Sequence, residues 1–151
     1  ATLRERAARM KLKHLESLLE DVEAFRTPNQ ALEQYPTGAH LAACVVHAAH
    51  ARGHIQGRAV ADLGVGGGVL SIASLLMGAR RVVGVDLDPA ALDLAAHNCQ
   101  AFDPPLEPEF RLARIPRDIL AWNARVDSEG RQEDKVGDEG GEGSDEGGDD
   151  G

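Results

Sequence analysis

Residues 62–68 read Asp-Leu-Gly-Val-Gly-Gly-Gly, with glycines at Gly64, Gly66, Gly67 and Gly68. Glycine has no Cβ, so such a run lets a ligand lie against the main chain. The unsatisfied N–H groups of a helix that follows can then bind polar parts of that ligand. The spacing separates two cofactor classes. A dinucleotide fingerprint, G-x-G-x-x-G, begun at Gly64 needs a glycine at position 69, where the chain has Val69. The spacing G-x-G-x-G fits at Gly64, Gly66 and Gly68, with Asp62 two residues ahead. Asp86 lies 22 residues beyond Gly64. A carboxylate there, closing a second strand, accepts bonds from both ribose hydroxyls of an adenosine-bearing cofactor. The plain alternative is a structural turn followed by a strand-end acid. Strand, turn, helix and acid in their expected order favour the binding reading.

Other chemistry-bearing residues carry less. Asp103-Pro104-Pro105-Leu106 sits between a helix and a strand and reads as a loop, because position 106 offers no aromatic ring to stack on a base. His47, His50 and His54 recur at helical spacing, but no carboxylate completes a metal set and His54 lies past Gly53. They read as helix surface, and no metal site is assigned. Arg4, Arg6, Arg9, Lys11 and Lys13 make the first thirteen residues basic, which suits phosphate contact or a solvated helix start equally. Cys44 and Cys99 show no C-x-x-C pattern, which excludes a disulfide scaffold and a Cys-based zinc site.

The elements that must position the glycine loop follow from periodicity. Apolar residues Met10, Leu12, Leu15, Leu18, Leu19 and Val22 predict a helix over 7–24, broken at Thr27-Pro28-Asn29. A second helix is predicted from Thr37, as its cap, to about Arg52, with Gly53 as the stop. Then come a strand over 58–63, a helix over 69–77 ended by Gly78, and a strand over 81–86. A helix follows, opened by Asp88-Pro89 and reaching about Phe102, and then a strand over 109–114 with Phe110 and Leu112 on one face. This alternation predicts a parallel sheet with right-handed crossovers.

Charge divides the chain. Its 151 residues, 16.0 kDa, carry a net charge of -9. Residues 127–151 hold 11 acids and 2 bases, while residues 1–126 are balanced. The folded part is therefore neutral, which excludes a strongly basic nucleic-acid binder as a whole-domain property. The Gly- and acid-rich end reads as a disordered tail. Both ends read as cuts in a longer chain. No apolar run approaches the length of a membrane span.

Several segments together resemble one family. LEQYPT at 32–37, VADLGVGGGVLSIASLLMGA at 60–79 and VVGVDLDPAAL at 82–92 resemble the methyltransferase-like 5 group, as does the stretch from Met10 to Thr37. The resemblance covers residues 10–102. It implies an α/β, Rossmann-like S-adenosylmethionine-dependent methyltransferase fold, incomplete with about three parallel strands and preceded by two N-terminal helices. The division would be an extension at 1–9, helices and a cofactor-covering loop at 10–57, a partial methyltransferase domain at 58–126 and the tail at 127–151. The implied activity is N6-methylation of adenine in small-subunit ribosomal RNA with S-adenosylmethionine as donor. The implied partners are that RNA and a small zinc-binding activator subunit, in cytoplasm or nucleus and away from membranes.

The family's cofactor-holding positions fall on Gln34, Thr37, Gly64, Gly67, Val69 and Asp86, beside Asp62 and Gly66 of the loop. The cysteines that the family carries in this loop are replaced by Val65 and Gly67. Two departures stand out. The acid expected after the third strand has only Asp118 as a distant candidate. The catalytic N-P-P-F motif is absent, so no catalytic residue is assigned and the fragment alone is expected to be inactive. A protein-glutamine or tRNA methyltransferase of the same fold, or a non-catalytic interaction protein, are the alternatives.

Overall fold

A computed structural model describes residues 10–27 and 34–115. The extension at 1–9, Pro28 and Asn29 of the expected helix break, Asp118, the remainder of the partial domain to 126 and the acidic tail lie outside the described residues.

Three strands, β1 (Ala59–Leu63), β2 (Arg81–Asp86) and β3 (Glu109–Leu112), form a parallel sheet in the order β1-β2-β3. The register pairs Leu63 with Val85 and Asp86 with Leu112. The helices are α1 (Leu12–Leu19), α2 (Ala39–Ala51), α3 (Val69–Leu76) and α4 (Pro89–Gln100). α3 and α4 make the crossovers and pack on the sheet, while α1 and α2 pack against α3 and each other. The core joins Leu15 and Leu19 of α1, Ala42, Ala43 and Val46 of α2, Ile72 of α3, Met77 and Cys99. Burial raises the Cys99 thiol to about 11, so it remains a neutral core group. β1 and β3 are the outer strands among the described residues, and Leu63 and Leu112 are exposed on them.

The elements predicted from periodicity all form, with corrections at their ends. α1 begins at Leu12, after its cap residue Lys11, and stops at Leu19 instead of running over 7–24; beyond it the main chain at Glu23 bonds the side chain of Asn98. Thr37 does not cap α2. Gly38 is the cap residue, and no side chain bonds the helix start. β3 ends at Leu112, although the Ala113 N–H still donates to the Asp86 carbonyl at 2.9 Å. α4 opens as read, with the Asp88 carboxylate accepting from the Ala90 N–H. Residues 103–106 lie in the loop between α4 and β3. His50 Nδ1 meets the Met77 carbonyl at 3.1 Å, a partner within the fold.

Gly84 in β2 has a packing reason that the sequence did not reveal. A Cβ there would stand 2.8 Å from both the Phe110 ring and Val65 Cγ2, so its absence leaves room for both side chains.

Asp62 links sheet to helix. Its carboxylate is buried in β1 and accepts a 2.6 Å bond from Ser71 Oγ of α3. Burial raises its pKa above the ordinary aspartate value; the Ser71 bonds oppose this, and Asp86 adds to it. The ionised form is thus disfavoured by folding. Its stabilising contribution is complete below the unfolded-state value and is lost as pH rises through the folded one. Asp62→Asn, which cannot ionise, should therefore gain on the wild type as pH increases from 3 to 7. Urea unfolding across that range is the measurement, and a difference that shrinks with pH would contradict the assignment.

Candidate functional site

The carboxyl ends of parallel strands, where loops diverge towards helices, are where α/β sheets bind ligands. A cavity of about 640 Å³ opens there. The glycine loop and the ends of β1 and β2 line it, together with residues 19–20, 22–25 and 34–39. The size suits a small cofactor.

The loop's shape is set by main-chain bonds. Gly64 and Val65 both donate to the Val85 carbonyl, at 2.8 and 3.0 Å, which ties the loop to β2. Gly64, Gly66 and Gly68 take positive φ values of 83°, 52° and 85°. The three glycines of the G-x-G-x-G spacing are thus those that the turn requires. Gly68 is the cap residue of α3, and a Cβ on it would lie 3.0 Å from Ala95 Cβ of α4. Its role is helix packing, and it does not line the cavity. Gly66 has open space where its Cβ would be.

Asp86 closes the arrangement. Its Oδ2 accepts the Gly66 N–H at 2.9 Å and its Oδ1 accepts the Asp88 N–H at 3.0 Å. Each carboxylate oxygen has a second lone pair, so both stay able to accept from a diol. Val69 and Leu70 line the cavity from the first turn of α3, where N–H groups have no intrahelical acceptor.

Seven of the eight expected binding residues meet around this cavity: Gln34, Thr37, Gly64, Gly66, Gly67, Val69 and Asp86. Gln34 Nε2 donates to Asp88 Oδ2, fastening the 34–38 segment to the start of α4. The eighth, Asp62, lies beneath the loop, turned to Ser71 and not to the cavity. The sequence reading missed Glu20 and Glu23, which enter from the segment after α1, and Asn98, which holds that segment. Among the described residues that line the cavity, Glu20, Glu23 and Asp86 are acids and none is Lys, Arg or His; the Glu23 carboxylate lies 3.8 Å from His97 Nε2 of α4. Such a wall opposes a pyrophosphate and suits a cationic ligand. Among the described residues no group of three His, Cys, Asp or Glu is placed to hold a metal, and no helix is long and apolar enough to cross a membrane.

Comparison with known proteins agrees with this geometry. Residues 34–121, more than half of the chain, match the family model described as Ribosomal protein L11 methyltransferase (PrmA). The rRNA N(6)-adenosine-methyltransferase METTL5 of Danio rerio is 46% identical over 97 residues, which are 64% of this chain and 47% of that protein. The Drosophila melanogaster protein of the same name is 49% identical over 87 residues, 57% of this chain and 41% of that one. The chain thus spans less than half the length of these curated relatives. A crystal structure of a Pyrococcus horikoshii protein, proposed to be an RNA methyltransferase, superposes with a TM-score of 0.61 at 36% identity, covering 67% of this chain and 50% of that one. The strand order, the glycine loop and the matched family model lead to one conclusion: this chain belongs to the PrmA family of methyltransferases, with a Rossmann-like fold of which the described residues carry three strands.

Proposed function

We propose that this chain is the S-adenosylmethionine-binding portion of an adenine N6-methyltransferase acting on small-subunit ribosomal RNA. The observation that carries the reading is the charge of the cavity. Its described lining residues include three acids, Glu23 among them lying beside His97, and no base, around a glycine loop whose spacing fails the dinucleotide pattern. S-adenosylmethionine brings a sulfonium and an ammonium where a dinucleotide brings phosphates. When bound, it supplies an activated methyl group.

The chain's own residues would divide the work. Asp86 would take the ribose hydroxyls with its remaining lone pairs. The loop at Gly64–Gly67 and the first turn of α3 would face the methionine end. Gln34 and Thr37 would close the cofactor from the N-terminal side. The RNA substrate rests on the names of the Danio and Drosophila relatives and on the 10–37 segment. The N-P-P-F motif is not present in these 151 residues, so methyl transfer by this chain alone is not part of the proposal. A cytoplasmic or nuclear location accompanies a ribosomal substrate.

The proposed partner is a small zinc-binding activator subunit, and β3 is where it would add a strand. Ala113 donates its N–H inward to Asp86, so alternation turns the Leu112 N–H to the open side of β3. Among the described residues β3 is an outer strand, and such a strand is a template for strand addition.

Two substitutions separate these assignments. Asp86→Ala removes an acceptor of charged hydrogen bonds and should cost about 1.5–3 kcal/mol of affinity for S-adenosylhomocysteine, read by calorimetry on the full-length protein. Unchanged affinity would sink the ribose assignment. Leu112→Pro deletes an outward donor and leaves the β2 ladder intact, so it should abolish co-purification with the activator while cofactor affinity stays within about twofold of wild type. Retained co-purification would move the interface elsewhere.

A further inference from the structure

Asn98 is the polar member of the buried stripe of α4, between Ala95 and Cys99, and is 3% exposed. Its amide group makes three hydrogen bonds, all to main chain of other segments. The Glu23 N–H donates to Oδ1 at 3.0 Å. Nδ2 donates to the Glu23 carbonyl at 2.9 Å and to the Gly67 carbonyl at 2.8 Å. Glu23 and Gly67 both line the cavity. The two segments meet at this point, since a Cβ on Gly67 would stand 2.9 Å from the Glu23 carbonyl oxygen.

Residues 22–25 have no helix or strand of their own to hold them. A buried amide that satisfies both the donor and the acceptor of one peptide residue fixes that segment without secondary structure. The same side chain also fixes the loop. With the Gly67 carbonyl turned to Asn98, the Gly68 N–H donates to Val65 O at 2.8 Å and the Gly66 N–H to Asp86. Successive peptide groups of the loop are thereby oriented before any ligand arrives, and such preorganisation lowers the ordering cost of binding.

We propose that Asn98 is a positioning residue for the cofactor: it clasps the segment around Glu23 to Gly67 and so fixes that part of the cavity lining against the glycine loop. The inference rests on the reading of the cavity as the S-adenosylmethionine site. It assigns a cofactor-affinity role to a side chain on the far side of the loop, which need not touch the cofactor.

The test uses the full-length protein and S-adenosylhomocysteine, with calorimetry for affinity, urea unfolding for stability and amide exchange for local protection. Asn98→Ala should weaken binding about tenfold or more, the scale of one or two lost buried hydrogen bonds, under conditions where unfolding curves show the variant folded. The Glu23 amide should lose protection in the same variant. Asn98→Asp is the isosteric control. It places an oxygen against two carbonyls, so it should lose at least as much as the alanine variant, whereas a packing role would tolerate it. Gly67→Ala attacks the same junction from the loop, through the Cβ that meets Glu23. Its effect on affinity should be non-additive with Asn98→Ala, because both break one contact. If the Asn98 variants do not fold, Gly67→Ala carries the test alone, with reduced affinity and a deprotected Glu23 amide expected. Wild-type affinity in folded Asn98→Ala or Asn98→Asp, wild-type affinity in Gly67→Ala, or additive effects would overturn the clasp. Failure of the wild type to bind is a separate outcome, which overturns the cofactor reading and this inference with it.

Discussion

The carboxylate of Asp86 joins the two structures on which the site depends. One oxygen holds the Gly66 N–H of the loop after β1, and the other holds the Asp88 N–H at the turn into α4. Buried or half-buried carboxylates are held in place by such charge-assisted bonds, and these bonds are shorter and stronger than neutral ones. Sheet register puts Asp86 within reach, since Leu63 pairs with Val85 and the next residue on each side begins to diverge. The loop then needs left-handed backbone at Gly64, Gly66 and Gly68 to turn back over the strand ends. Asp88 passes the constraint on, because its side chain caps α4 through Ala90 and receives Gln34 from the N-terminal wall.

The local parts of this arrangement were legible in the sequence. Glycine spacing, the Asp-Pro start of α4 and the apolar periods of α3 and β2 depend on near neighbours, and their elements form within a few residues of the expected bounds. The parts that were not legible depend on residues far apart. The segment after α1 is held at Glu23 by Asn98, 75 residues further along the chain. Gly84 answers to Phe110 and Val65, which only the sheet brings together. Thr37 looked like a cap because its type favours caps, but the chain places Gly38 at that position and leaves Thr37 on the cavity wall. One signal for Asn98 was present: α4 buries Ala91, Ala95 and Cys99 in a helical stripe, and an asparagine in that stripe requires partners.

The charge of the cavity is a second feature that no short motif expressed. Asp86 belongs to the glycine-loop pattern, whereas Glu20 and Glu23 reach the same cavity from the segment after α1. Acidity from two separate parts of the chain converges on one space, while the balanced composition of residues 1–126 gives no sign of it. The glycine spacing and the charge of the described lining residues favour the same ligand class.

The account stands on the claim that this cavity selects a cationic adenosyl cofactor over a phosphorylated one. Thermal unfolding of the full-length protein, followed with increasing S-adenosylmethionine and in parallel with NAD, tests that claim most directly, because a ligand that binds the folded state alone raises the midpoint with its concentration. The account predicts a midpoint that climbs with S-adenosylmethionine and stays flat with NAD. A midpoint that climbs with NAD, or that is indifferent to S-adenosylmethionine, would contradict it.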